Sequence, residues 1–294
     1  MKPPASAPAQ ELDLRARYRA APVTAIVDTL APEFRGVDWR EIRDSTVRDR
    51  VDSKYIVPAA LVPELLDRAA DSYDAVEVEG VRLATYTTRY FDTADYRLYH
   101  AHHSGRTPRY KVRIREYATT GDRFLEVKRK RAAGGSTQKE RVRLEHGEPD
   151  PLRRLLFDDF LGVRQVVDIT CLEPALTTRY QRLTLVSGDM RERVTVDLVL
   201  TCRQEDRARA FPSVAIVEVK QTVRARTPIM EALSALNLHR QSISKYCVGI
   251  AGLEPTVKAN LFRPVFRRLD EYAEVEPVRR VGPHLTPAST NGIE

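Results

Sequence analysis

Six segments of the chain alternate charged with apolar side chains, and most of the charged positions are Lys or Arg. The clearest is KVRIR at 111–115, and similar segments lie near residues 50, 126, 141, 193 and 218. Successive side chains of a β-strand point to opposite faces, so each segment would present its charges on one face. Arg and Lys together bind phosphate oxygens, Arg through paired hydrogen bonds. The spacing therefore predicts a polyanion-binding face on a sheet.

The positive charge is concentrated in one part of the chain. Residues 106–143 hold thirteen Lys or Arg against four Asp or Glu, a local net charge of +9, whereas the whole chain carries +7. For any single strand, a solvated face is the simpler interpretation. Neighbouring strands with like charges on one face repel each other, however, and a bound anion explains six such strands best. The alternation places Arg50, Arg141 and Lys220 on this face.

Four carboxylates share the predicted basic faces: Asp52, Glu126, Asp197 and Glu218. Each could simply pair with a neighbouring cation. Each could also bind a divalent metal, because Mg²⁺ and similar ions use one or two carboxylates together with substrate phosphates. We favour the metal role for Glu218 and leave both roles open for Asp52, Glu126 and Asp197.

The elements that must position these residues are mainly strands with short connections. This pattern favours an antiparallel sheet or barrel with attached helices, and the chain contains neither GxGxxG nor GxxxxGK[ST]. The predicted strands are Thr46–Val57, Leu83–Asp92, Arg109–Tyr117, Phe124–Lys130, Lys139–Leu144, Thr178–Leu185, Glu192–Cys202 and Val214–Gln221. The predicted helices are Pro58–Ala70, Leu152–Leu161 and Pro228–Leu238, with Ser242–Gly252 left as strand end or helix.

The 294 residues are predicted to form one domain over residues 11–254. Residues 1–10 are rich in Pro and Ala and predict disorder, and residues 255–294 predict a loosely held extension. The three cysteines form no CxxC pair, and no apolar run approaches the length of a membrane helix. We therefore expect a cytoplasmic protein.

Nine short motifs follow one another in a fixed order. They are RxDxKY at 50–55, YFDT at 90–93, RYKVRIREY at 109–117, FLEVK at 124–128, TxKxR at 137–141, RY at 179–180, RVTVD at 193–197, IVEVK at 216–220 and SKYC at 244–247. In this order and spacing they resemble the catalytic domain of the vacuolar transporter chaperone (VTC) complex, a polyphosphate polymerase domain. That domain belongs to the triphosphate tunnel metalloenzyme superfamily.

The resemblance implies an α+β fold with a closed eight-stranded antiparallel β-barrel and bracketing helices. It implies an ATP-dependent polyphosphate polymerase, with a divalent metal, Mn²⁺ or Mg²⁺, and with triphosphate, pyrophosphate or polyphosphate as ligands. Glu218 matches the metal-binding carboxylate, and Ser244 lies beside the lysine of the SKY motif. The phosphate-binding cations of the family match Lys54, Arg113, Arg115, Lys128, Lys139, Arg179, Arg193 and Lys245.

Other functions stay open at this point. The hydrolase branch of the superfamily carries ExExK on its first strand, and this chain has Arg50 in place of the first acid, which makes a simple triphosphatase a weaker alternative. A polyanion-binding module without activity is a second alternative. We expect no nucleic-acid partner, because aromatic residues for base stacking are few in the basic segment. The resemblance leaves a membrane-protein partner and the oligomeric state open.

Overall fold

The structure is a computed structural model that describes residues 27, 31–42, 51–131, 137–148, 151–272 and 279–280. Its strands are β1 (Arg35–Asp38), β2 (Val51–Pro58), β3 (Tyr73–Glu77), β4 (Leu83–Asp92), β5 (Arg109–Tyr117), β6 (Arg123–Lys130), β7 (Thr137–Arg143), β8 (Glu173–Ser187), β9 (Glu192–Gln204), β10 (Arg207–Phe211), β11 (Val214–Gln221) and β12 (Arg279–Arg280).

Short helices surround the strands. They are α1 (Trp39–Ile42), α2 (Val62–Asp67), α3 (Arg97–His103), α4 (Arg154–Phe157), α5 (Pro228–Ala235), α6 (Lys245–Leu253) and α7 (Arg263–Tyr272). The 3₁₀ turns are Ala31–Glu33, Ala59–Leu61, Ala70–Ser72, Pro151–Arg153, Phe160–Gln165, Ile169–Cys171 and Asn260–Phe262.

All the strands belong to one sheet, which is antiparallel except for the β1–β3 pair. A continuous path of eight strands runs β2-β11-β9-β8-β4-β5-β6-β7. These eight are the strands predicted from the sequence, although residues 46–50 of the first predicted strand lie outside the described residues. Four further strands, β1, β3, β10 and β12, were not predicted.

The eight-stranded path does not close through hydrogen bonds. Within the described residues, β2 pairs only with β11 and β7 pairs only with β6. The closed barrel implied by the resemblance is therefore not confirmed. The sheet nevertheless curls. Lys54 on β2 and Lys111 on β5 are far apart along the strand order, yet they hydrogen-bond to the adjacent residues Ile243 and Ser244. We call the face that these lysines share the inner face.

The outer face of the sheet builds the apolar cores. Valines and leucines of β8, β9 and β11 pack with α2 and α5, and Val194, Val196 and Val217 have no exposed surface. On β5 and β6, Val112, Leu125 and Val127 pack against the segment from Leu152 to Leu172. Burial of these side chains leaves the alternate residues of the same strands on the inner face, as the strand period requires.

Helix α7 was not predicted from the sequence. Val265 and Leu269 on this helix are buried in a cluster with α6 and the ends of β8 and β9. The histidines at 100, 102 and 103 lie on α3, and His102 contacts the Tyr110 carbonyl oxygen at 2.9 Å. None of the helices in the described part of the chain has the length and hydropathy needed to cross a membrane.

Candidate phosphate-binding site

Strand register brings the predicted cations of six strands onto the inner face. Lys128 on β6 pairs with Lys111 on one side and with Lys139 on the other. Glu218 on β11 pairs with Lys54 on β2 and with Thr195 on β9. Glu218 on β11 acts to raise the pKa of Lys128 on β6, although four strands separate β6 from β11 along the sheet. The curl of the sheet brings these two charges near each other.

Glu126 is the counter-ion of two inner-face cations. Its carboxylate is fully buried and accepts from Arg113 at 2.5 and 2.7 Å and from Lys139 at 3.0 Å. Burial would raise the pKa of Glu126, but Arg113 and Arg115 hold it well below its usual range. Both oxygens are engaged by cations, an arrangement that favours charge pairing over the predicted metal role of Glu126.

Asp197 on β9 is also the counter-ion of two cations. It is 1% exposed and accepts two hydrogen bonds from Arg182, at 2.5 and 2.8 Å, and one from Lys245. Burial opposes the charge, yet Arg182 and Lys245 hold the pKa of Asp197 far below its ordinary value. These ion pairs favour charge pairing over the predicted metal role of Asp197 as well.

Glu218 is the most accessible of the three predicted metal ligands, with 18% of its side chain exposed. Its oxygens lie 3.2 Å from Lys220 and 4.0 Å from Lys54. Burial would raise the pKa of Glu218, but these lysines hold it well below its usual range, so the carboxylate is ionised. Among the described residues, no three His, Cys, Asp or Glu side chains converge on a cation position. A metal on Glu218 would therefore need ligands from a bound phosphate.

Several inner-face cations, among them Lys111, Lys128 and Arg115, have no carboxylate within ion-pair distance in the described part of the chain. Lys128 forms no such pair, and burial together with Arg113 lowers its pKa well below its usual value. Arg115 donates to Thr88 Oγ1 at 3.2 Å and lies over the Tyr86 ring. Uncompensated cations in a partly desolvated site favour an anionic ligand, since the anion supplies the missing charge.

One end of the inner face is covered by α6 and the residues before it. Lys54 donates to the Ile243 carbonyl at 3.3 Å, and Lys111 donates to Ser244 Oγ at 2.7 Å. Ser244 Oγ also caps the helix by accepting from Cys247 N. Tyr246 donates to the buried Asp92 on β4. These contacts join residues 243–246 to strands on several sides of the curled sheet.

The other predicted site residues occupy mixed positions. Arg193 donates to the Ile42 carbonyl oxygen at 3.3 Å, and Lys245 lies 4.6 Å from the centre of the Tyr180 ring. Arg141 is exposed and lies 4.8 Å from the centre of the Phe124 ring. Arg50 lies outside the described residues.

Arg179 does not join the cluster. It is exposed and pairs with Thr87, on the outer face of the sheet. The side chain on the inner face is Arg182, which pairs with Ala84 and binds Asp197. The sequence contained a signal for this position of Arg182. Tyr180, Arg182 and Thr184 alternate with the apolar Leu183 and Leu185, which places Arg182 on the face opposite the leucines.

Paired substitutions test this correction. We expect Arg179→Ala to leave triphosphate affinity within about twofold of wild type, as for surface changes in general. Arg182→Ala removes a cation from the inner face and one of two partners of a buried carboxylate, so we expect loss of affinity and of stability. Titration calorimetry and thermal unfolding of both variants check this. Equal effects of the two changes would contradict the assignment.

Lys111 predicts a pH dependence for anion binding. Burial lowers its pKa to about 8, with Lys54, Arg113 and Arg109 adding to the decrease. An anion binds the protonated form more tightly, so affinity is highest below this pKa and falls as the pH rises through about 8. Lys111→Arg stays charged and serves as control, since the titration of the ligand itself is common to both proteins. We expect the dissociation constant of wild type to rise relative to that of Lys111→Arg; a constant ratio would contradict this.

These features define a basic, curled antiparallel sheet with an ionised carboxylate on its charged face. The sequence profile of the VTC domain matches residues 49–254, and the chain belongs to this family. No curated protein matches the chain in sequence.

Several solved structures align with the chain at low sequence identity. A candidate adenylate cyclase from Bacillus halodurans has a TM-score of 0.45 at 14% identity, covering 67% of this chain and 95% of its own. A second candidate adenylate cyclase, from Vibrio parahaemolyticus, has a TM-score of 0.40 at 14% identity, with coverages of 67% and 95%. A candidate adenylyl cyclase from Hippeastrum, described as having a dominant triphosphatase activity, has a TM-score of 0.38 at 14% identity, with coverages of 69% and 96%. TM-scores this low support no inference about activity.

Proposed function

We propose that this protein is a metal-dependent polyphosphate polymerase that transfers the γ-phosphoryl group of ATP to the end of a polyphosphate chain. The observation that carries the proposal is the position of Lys128 and Arg115, cations without carboxylate partners in the described structure, on the same inner face as ionised Glu218. Membership of the VTC domain family supports the same reaction.

The triphosphate binds to cations that the protein already holds in place. Arg113 is fixed by its ion pair with Glu126, and Arg115 and Lys128 lie beside it on the inner face. Phosphoryl transfer depends mainly on positioning and charge stabilisation, and a preorganised set of cations provides both. Lys111 and Ser244, which are hydrogen-bonded to each other, lie toward the end covered by α6 and can contact the terminal phosphate.

A divalent metal could be held by Glu218 together with the phosphates of the substrate. Glu218 would supply a single hard-oxygen ligand, and phosphate oxygens of the substrate would supply the others, as Mg²⁺ and Mn²⁺ sites on phosphate substrates allow. When bound, such an ion would neutralise the charge that develops on the transferred phosphoryl group. Glu126 and Asp197 hold the surrounding cations in position rather than the metal.

The acceptor is better explained as a phosphate than as water. A terminal phosphate oxygen is already ionised at neutral pH and needs no protein base. Hydrolysis needs a base to activate water, and Asp197 is a poor one because Arg182 and Lys245 engage its carboxylate and hold its pKa far below the usual value. Asp52 on β2, in register with Lys220, is then the remaining candidate base for a triphosphatase.

The test is an incubation of the full chain with ATP and Mn²⁺, followed by separation of the products. We expect ADP together with a polymer that migrates as long-chain polyphosphate on a gel and is degraded by an exopolyphosphatase. Release of free phosphate in equal amount to ADP, without polymer, would show a triphosphatase or nucleotide hydrolase instead. Binding of polyphosphate with no turnover of ATP would show a binding module.

A further inference from the structure

A row of aromatic rings crosses the inner face on neighbouring strands. Tyr180 on β8 stacks on Tyr86 on β4 with ring centres 5.5 Å apart, and Tyr86 lies 5.0 Å from Tyr117 on β5. Phe124 on β6 continues the row, 5.7 Å from Tyr117 and nearly perpendicular to it. Aromatic rings on a face otherwise lined by charges need an explanation.

The two halves of the row differ in accessibility. Tyr180 is 2% exposed and is covered by Arg182 and Lys245, so it packs within the sheet. Tyr117 and Phe124 are only partly buried. The exposed guanidinium of Arg141 lies 4.8 Å from the centre of the Phe124 ring. An aromatic ring with a guanidinium plane on it is a surface on which nucleobases stack.

Tyr117 and Phe124 lie at the end of the inner face away from residues 243–246. The other end of the inner face carries the contacts of residues 243–246 with Lys54 and Lys111. Tyr117 lies four residues along β5 from Arg113, roughly 13 Å away at the rise of an extended strand. With the terminal phosphate toward α6, the nucleoside extends toward Tyr117 and Phe124.

The ligand chemistry favours the same conclusion. An inorganic polyphosphate chain has no group that gains from an aromatic face, whereas a base gains a stack. We propose that Tyr117, Phe124 and Arg141 form a base-stacking subsite that binds the nucleoside of the phosphoryl donor, next to the phosphate-binding cations. The subsite rests on the proposed use of a nucleoside triphosphate. Stacking accepts any base, so the subsite selects nucleotides over inorganic triphosphate without selecting among bases.

The test compares ATP, GTP and inorganic tripolyphosphate as ligands of the full chain by titration calorimetry with Mg²⁺. Stacking of one base predicts that wild type binds ATP and GTP similarly and about tenfold more tightly than tripolyphosphate. Phe124→Leu keeps an apolar side chain without a π-face, and we expect it to abolish this preference with tripolyphosphate affinity unchanged. Phe124→Trp keeps the ring and should retain the preference. Thermal unfolding verifies that each variant is folded.

The outcomes separate this subsite from the proposed function. Equal affinity of wild type for ATP and tripolyphosphate would overturn the subsite and leave the phosphate site standing. Retention of the full ATP preference by Phe124→Leu would also overturn it. Absence of binding by all three ligands would overturn both proposals.

Discussion

Glu218→Gln is expected to reduce kcat/KM for ATP by about 100- to 1000-fold, the usual cost of removing one preorganised electrostatic group from a transition state. The substitution keeps the shape of the side chain but removes the charge that a hard cation requires. It also leaves Lys220 and Lys54 without their shared carboxylate, so we expect a modest decrease in Tm. Steady-state rates below the melting transition, across a Mn²⁺ titration, measure the effect.

The control is Glu116→Gln, which makes the same charge change on an exposed residue of β5 on the outer face. We expect this variant to keep its activity. A second readout does not depend on turnover: Mn²⁺ should add to the Tm increase produced by tripolyphosphate in wild type and in Glu116→Gln, but not in Glu218→Gln. Full activity of Glu218→Gln at any Mn²⁺ concentration would show that another group holds the metal.

Lys128→Met and Arg113→Met are expected to have opposite effects on the stability of the empty protein. Lys128 has no carboxylate partner in the described structure, and its lowered pKa reflects burial and the charge of Arg113, so its removal relieves an unfavourable charge and should raise Tm. Arg113 is the bidentate partner of fully buried Glu126, and its removal should cost about 3–5 kcal/mol, the usual cost of breaking a buried pair.

Both variants should bind tripolyphosphate more weakly than wild type, by about ten- to a hundredfold for each charged hydrogen bond lost. Thermal unfolding with and without tripolyphosphate at physiological ionic strength measures stability and binding together, because a ligand of the folded state raises Tm by mass action. A lower Tm for empty Lys128→Met, or an unchanged ligand-induced increase, would contradict the account of Lys128.

The strand period predicts the part of the fold that carries the site. All eight segments with strand patterns became neighbours on one hydrogen-bonded path, because alternation with a buried face fixes which side chains point inward. The additional strands β1 and β10 were not predicted, since their four and five residues show no run of alternation long enough to mark a strand.

The pairing of charges could not be predicted from the sequence. Whether Glu126 binds a metal or neutralises Arg113 depends on cross-strand register and burial, which a single segment does not contain. The error at Arg179 has another origin: the RY motif draws attention to the residue before Tyr180, while the strand period selects Arg182 after it. The period is the more reliable guide here, because it follows from backbone geometry.

The central claim is that the inner face binds a triphosphate through its cations. Titration calorimetry of tripolyphosphate with Mg²⁺ into the full chain, at physiological ionic strength where exposed charges are screened over about 8 Å, tests it most directly. The account predicts one ligand per chain, with binding strongly weakened in Lys128→Met and unchanged in Arg179→Ala. Absence of binding by wild type, or a loss in Arg179→Ala that equals the loss in Lys128→Met, would contradict it.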